Sequence, residues 1–373
     1  QNLLNTDLTL NLSQNIPWTG GSLFLETSAQ RMDLFSEHKY SWQTSPIMIG
    51  YRQSLFGYNS LKWDKRIEPV RYQEAKKSYV ETLELVSANA INKFFALATA
   101  QSNYDIASFN YANADTLYRL TEETNRMNAR IEMDNCMQEL RSYLGIQEER
   151  EIRVRVSSRI PDFSINLNEA LTLAYENSPD IQTMKRRKLE SESAVARARA
   201  NAGLKADIYL RFGLTQTADK LPEAYRNLLD QQYVSLSISL PILDWGRGKG
   251  QVRVARSNRD LVYTQVEQNR TDFELNVRKL VKQFNLQTQR VRIAARTDET
   301  AQRRNEVARK LYILGKSTIL DLNASISEKD SARRNYVSAL YNYWSLYYTL
   351  RSMTLYDFES NKLLTEDYNL LIE

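Results

Sequence analysis

Four stretches of the chain alternate apolar and polar residues one by one. Leu8, Leu10 and Leu12 alternate with Thr9, Asn11 and Ser13, and Ile47, Ile49 and Tyr51 repeat the pattern. Further on, Ile208, Leu210, Phe212 and Leu214 alternate with Tyr209, Arg211, Gly213 and Thr215. Val234, Leu236, Ile238 and Leu240 then alternate with Ser235, Ser237 and Ser239. A period of two places the apolar set on one face of a strand and the hydroxyls on the other. The pattern predicts four two-faced strands. One more extended piece, through Leu23 and Leu25, follows a corner made by Asn15-Ile16-Pro17-Trp18 and Gly20-Gly21.

Elsewhere the period changes from two to the three-and-four spacing of amphipathic helices. From Leu61 to about Thr124 there is one proline, Pro69, and no glycine, and Leu83, Val86, Ala90, Phe94 and Leu97 recur at helical steps, as do Ala114, Leu117 and Tyr118. At 1.5 Å per residue that is a helix approaching about 90 Å. A shorter return helix is expected over 126–144, stopped by Gly145. Residues 146–165 read as a connector broken by Pro161. A helix is expected over 166–203, strands over 206–240, and two helices over 246–356 that turn at Gly315, followed by a polar tail over 357–373.

The same order thus occurs twice: strand, loop, strand, Gly or Pro corner, very long helix, returning helix. Residues 1–145 form the first expected repeat, with strands over 6–54 and helices over 61–144, and 166–356 form the second. The first repeat lacks a counterpart of the helix over 166–203 and of the turn LYILGKSTILDLNAS. The expectation is a trimmed N-terminus and a hairpin tip that is either short by nature or missing from this sequence, with omission preferred. The chain opens with no signal-peptide pattern and reads as mature or trimmed.

Composition agrees with long helices: 25% of residues are charged and only 11 are Gly and 7 Pro. The net charge of +5 is small for 373 residues, and both signs are interleaved, so no nucleic-acid-binding stripe stands out. The one cysteine, Cys136, excludes an internal disulfide and a Cys-based zinc site. The one histidine, His38, lies in a polar loop with Asp33, Glu37 and Lys39 and has no catalytic motif around it. Gly246-Arg247-Gly248-Lys249-Gly250 has the wrong spacing for a dinucleotide loop, and Gly315-Lys316-Ser317-Thr318 has Lys310 where a phosphate loop needs its first glycine. Neither catalytic equipment nor a cofactor or metal site is expected. The aromatic group Tyr341, Tyr343, Trp344, Tyr347 and Tyr348 reads as helix packing, and Arg247, Arg253, Arg256 and Arg259 as a solvated face.

No run of about 18 apolar residues is present, so no membrane-spanning helix is expected, but half-apolar strands of a β-barrel pass that test. Four such strands cannot close a barrel alone, and an open edge in lipid leaves backbone groups unpaired. Closure therefore calls for several chains, with serines toward a water-filled lumen and Leu, Ile and Phe toward lipid. The long helices, too polar for lipid, suit a hollow tube in water.

Three motifs of the second repeat, SLPILDWGRGKGQVRVA, LNEALTLAYENSPDIQ and LYILGKSTILDL, together resemble the TolC-like outer membrane efflux factors. IPWTGG and YRQSLFGYNSLKWDKRIEP are similar to Bacteroidetes-type members. The resemblance implies a mainly helical homotrimer with a smaller β part: four strands per chain in a twelve-stranded outer membrane barrel, joined to an α-helical tunnel in the periplasm. It implies a passive conduit of a tripartite efflux or type I-like secretion system. The implied partners are a periplasmic adaptor (membrane fusion) protein, an inner-membrane pump of the RND or ABC type, and the outer membrane bilayer. It places a periplasmic gate at Tyr312 and Asp321, on either side of Gly315. The family's second acid is Ala324 here, and its basic residue after the glycine is Ser317. The barrel-to-helix corners fall at Leu55, Phe56 and Gly57, and at Pro241, Asp244, Trp245 and Gly246. The alternative is a soluble periplasmic coiled-coil adaptor or scaffold, whose strands would face a protein core; the serines at every second position of 235–239 argue against it.

Overall fold

In the computed structural model, which describes residues 3–35, 38–113, 119–147, 151–157 and 160–364, all the alternating stretches pair in one antiparallel sheet. Its strands are β1 (Leu3–Ile16), β2 (Gly21–Leu34), β3 (Lys39–Ser54), β4 (Lys205–Ala218) and β5 (Leu229–Ser239), hydrogen-bonded in that order. Five strands stand where four were expected. The extended piece around Leu23 is a full strand of 14 residues. Its alternation is hidden in the sequence because Phe24 interrupts the polar positions; Gly50, directly opposite, leaves room for that ring, and a Cβ there would lie 2.0 Å from Phe24 Cζ.

The helices are α1 (Ser60–Asn113), α2 (Arg119–Leu144), α3 (Leu167–Asn177), α4 (Pro179–Ala202), α5 (Arg247–Ile313) and α6 (Ile319–Thr354). Ala114, Leu117 and Tyr118, placed in the first long helix by spacing, lie outside the described residues. The single helix expected over 166–203 is two. Ser178, held extended at ψ 135 by the following proline, ends α3, and its hydroxyl accepts from Asp180 N at 3.2 Å to cap α4. Asn166 caps α3, accepting from Asn168 N at 2.9 Å. Beyond α6, where a polar tail was expected, Leu355 turns left-handed (φ 48) into a two-strand hairpin, β6 (Tyr356–Asp357) and β7 (Lys362–Leu363).

The chain divides into two compact units, residues 1–73 with 182–268 and residues 74–181 with 269–373. The first unit holds the sheet together with the beginnings of α1 and α5 and most of α4. In the second, Phe284, Tyr343, Tyr347 and Leu350 are buried together, with the Phe284 and Tyr343 rings 5.0 Å apart. Burial holds the Tyr343 hydroxyl protonated well above the usual tyrosine range, and it donates to Pro161 O at 3.2 Å. Of the aromatic residues of α6 that read as packing, Tyr343 and Tyr347 are core, and Tyr341, Trp344 and Tyr348 are half-buried beside them. The connector is tied down by side-chain amides: Gln101 bonds both Ile152 O and Val154 N, and Asn285 bonds both groups of Ile165. Those bonds satisfy backbone that has no strand neighbour.

Candidate channel wall and entrance

The register lines up one apolar face across the whole sheet. Leu12, Leu25, Ile49 and Phe212 are successive cross-strand partners, and one step along, Leu23, Tyr51, Leu210 and Val234 are the same. On the opposite face Ser13, Phe24, Gly50, Arg211 and Tyr233 pair in turn, near Ser235 and Ser237. Among the described residues no helix lies across either face; the short 3-10 turn Glu223–Tyr225 packs on β3 and β4. On the leucine face Leu8, Leu10 and Leu12 remain 71–76% exposed, and Val234, Leu236 and Ile238 remain 60–68% exposed. On the serine face Met48 and Phe24 are nevertheless buried.

Both strand-to-helix corners lie at one end of this sheet. At the first, Asn59 Oδ1 accepts from Lys62 N at 3.0 Å, capping α1, while Asn59 Nδ2 donates to Pro17 O at 3.0 Å. Leu55 N extends the ladder to Ala206 O at 2.8 Å. Gly57 packs under Ser54, whose Oγ would lie 2.4 Å from an added Cβ. At the second corner, Pro241 ends the ladder because it has no N–H. Asp244 accepts from Gly246 N at 2.9 Å and Gly248 N at 2.8 Å, and these bonds hold its carboxyl below the usual aspartate range. Trp245 (φ 52) and Gly246 (φ 79) make the left-handed bend. Trp18, Phe56, Ile242 and Trp245 are all exposed at this end.

The hairpin between α5 and α6 carries the expected entrance residues. Gly315, at φ 68, closes the end of α5, with its N–H 2.9 Å from Tyr312 O and Lys316 N 2.9 Å from Leu311 O. Thr318 and Asp321 form a capping box at the start of α6: Asp321 N donates to Thr318 Oγ1 at 3.2 Å, and the Asp321 carboxylate accepts from Thr318 N at 3.0 Å. Donors from Thr318 first, and then Ser317, keep that exposed carboxyl ionised below the usual range. The structure thus brings Tyr312, Gly315 and Asp321 to one turn and gives Asp321 a local structural role. Sequence reasoning passed over the turn's apolar tip: Ile313, Leu314 and Leu320 are all exposed. Their clustering on either side of Gly315 was the available signal. Lys316, Ser317 and Thr318 serve this turn rather than a phosphate loop.

His38, at φ 49, belongs to the turn joining β2 and β3. Among the described residues no three His, Cys, Asp or Glu side chains converge as metal ligands, and no helix is long and apolar enough to cross a membrane.

A bare two-faced sheet continuous with long polar helices defines a class, the outer membrane channels with helical extensions. Residues 170–354 match the outer membrane efflux protein family, whose members are channels rather than enzymes. The Campylobacter jejuni CmeC outer membrane channel has a similar fold, with TM-score 0.67 at 13% identity over 100% of this chain and 80% of that one. The open state of the Neisseria gonorrhoeae MtrE outer membrane channel gives 0.67 at 12% identity, over 96% of this chain and 82% of that one. The Vibrio cholerae outer membrane protein VceC gives 0.62 at 13%, over 95% and 87%. At these identities the likeness is one of fold. No curated protein matches the chain by sequence.

Proposed function

We propose that the protein is the outer membrane channel of a tripartite efflux or type I-like secretion system, a homotrimer that conducts passively from periplasm to exterior. The observation that carries this is the sheet itself: apolar on one face and polar on the other, with no second layer and two unpaired edges among the described residues. Lipid covers such a face, and further copies pair such edges. Exposed Trp18, Phe56 and Trp245 at the helical end suit a membrane interface, which supports a membrane boundary where the sheet gives way to the helices. The parallel orders β2-β3-α1-α2 and β4-β5-α5-α6 support an internal two-fold repeat, 1–145 and 166–356 about the connector 146–165.

Tyr312 and Asp321 then belong to the periplasmic entrance, where the α5–α6 turns of three chains converge. The exposed Ile313, Leu314 and Leu320 offer a periplasmic adaptor protein an apolar hold, and energy comes from an inner-membrane RND or ABC transporter docked through it. The test is current through a planar bilayer with purified protein and no energy source. Discrete conductance steps are expected. A membrane that stays silent at protein levels that insert known porins would contradict the reading.

A further inference from the structure

We propose that β1 is a staff of the barrel wall, so that each chain contributes at least five strands and the seam between copies does not lie at β2. This rests on the channel reading above but goes beyond its count of four strands per chain. β1 pairs with β2 without a register break from Leu3↔Leu34 to Ile16↔Gly21. A strand has one row of hydrogen-bonding groups on each edge, and β2 has spent its two rows on β1 and β3. A neighbour's β5 cannot also pair there. Closure at four strands per chain therefore requires β1 to leave, which breaks that whole ladder.

The side chains of β1 fit the wall. Leu8, Leu10 and Leu12 extend the leucine face beyond Ala29, Thr27 and Leu25, their partners on β2. Thr9, Asn11 and Ser13 extend the serine face, and Asn11 Nδ2 reaches Glu26 Oε2 at 3.5 Å. Outside a barrel both faces of β1 would share one solvent, which suits only one of them. Nor is the hairpin loose. Its turn is closed by Gly20 N to Ile16 O at 2.9 Å, and Gln53 Nε2 donates to Thr19 O at 2.7 Å. Asn59, the residue that caps α1, holds Pro17 O. The β1–β2 turn is thereby built into the same corner as the start of α1.

The direction of β1 sets the seam. Ile16 and Ser239 both lie at the helical end of the sheet, so β1 and β5 run the same way. A direct seam between β1 and a second copy's β5 is a parallel pair. An all-antiparallel ring instead needs one more strand per chain between them, and either arrangement widens the lumen relative to four strands per chain.

Single cysteines at Leu10, Asn11 and Leu236, each in a Cys136→Ser background, carry a fluorophore in vesicles that contain brominated phosphatidylcholine. The Leu10 label is expected to be quenched as strongly as the Leu236 label. Asn11→Cys is expected to react with a membrane-impermeant maleimide about tenfold faster than Leu10→Cys, as positions on opposite faces should. Quenching at Leu236 with none at Leu10 overturns the assignment of β1 and leaves the channel reading standing. So does a disulfide between Leu25→Cys of one copy and Val234→Cys of another, because it places the seam at β2. No quenching at Leu236 defeats the channel reading itself.

Discussion

Asp321 and Asp244 do the same job in different places: each carboxylate collects backbone N–H groups at the start of a helix. Both have folded pKa values below the ordinary 3.8. A depressed carboxyl pKa adds stability above the unfolded value, and that stability is lost as pH falls through the folded one. Asp244→Asn keeps the shape of the cap but not its charge. Its melting temperature should fall below wild type at pH 6, and the gap should narrow progressively as pH falls below the unfolded value of 3.8; a gap independent of pH would contradict the charged cap. The capping role leaves the Asp321 carboxylate exposed, as the proposed place at the entrance requires. In a trimer three such charges would face one another, which favours a bound or hydrated cation. Asp321→Asn should weaken block by polyvalent cations in planar bilayers, and unchanged block would remove Asp321 from the entrance. Gly315 and the Asp244-Trp245-Gly246 bend were legible because few residues suit those conformations. The pairing of Asp321 with Thr318 was legible only in part, since an acid after a glycine turn does not say which donor it will meet.

At the scale of elements, α4 and α5 approach closely where Gly248 faces Ala202. A Cβ at Gly248 would lie 3.0 Å from Ala202 Cβ and 2.8 Å from Asp244 Oδ2. Gly248→Val should cost about 1–3 kcal/mol through overpacking, read from denaturant unfolding; no cost would mean that these helix ends are looser than drawn. In the second unit α1, α6 and the terminal hairpin meet at a charge cluster. Arg351 Nη2 donates to Glu84 Oε1 at 2.9 Å, and its Nη1 lies 3.6 Å from Asp357 Oδ2. Nε and Glu84 Oε2 are 2.9 Å apart but poorly aligned for a hydrogen bond. The pair is largely shielded, with side chains 16% and 10% exposed. Arg351→Ala should destabilise by about 3–5 kcal/mol because it strands a buried carboxylate, and adding Glu84→Leu should restore much of the loss. Loss without such rescue would point to packing rather than charge. Long helices were easy to read, since their spacing persists over many turns. The Ser178 break and strand β2 were not: a proline tolerated at a first helical turn looks like a continuing helix, and Phe24 on the serine face disguises a strand.

For the whole molecule, the sequence carried the need for closure but not the strand count. Alternation at Leu8 to Ser13 and at Val234 to Ser239 already says that the two faces of each strand meet different surroundings. How many strands share the wall depends on which edges pair, and residues Leu3–Ile16 pair with β2 through backbone groups that no side chain advertises. The same reasoning explains why the fold is recognisable beside CmeC and MtrE at 13% and 12% identity: a two-faced sheet and polar helices constrain residue type more than residue identity. The central claim is that one chain makes only part of a closed wall. Light scattering on the detergent-extracted protein, corrected for bound detergent, tests that most directly. A protein mass three times that of the chain is expected, with precipitation when detergent is withdrawn. A monomer or dimer that stays soluble without detergent would contradict the account.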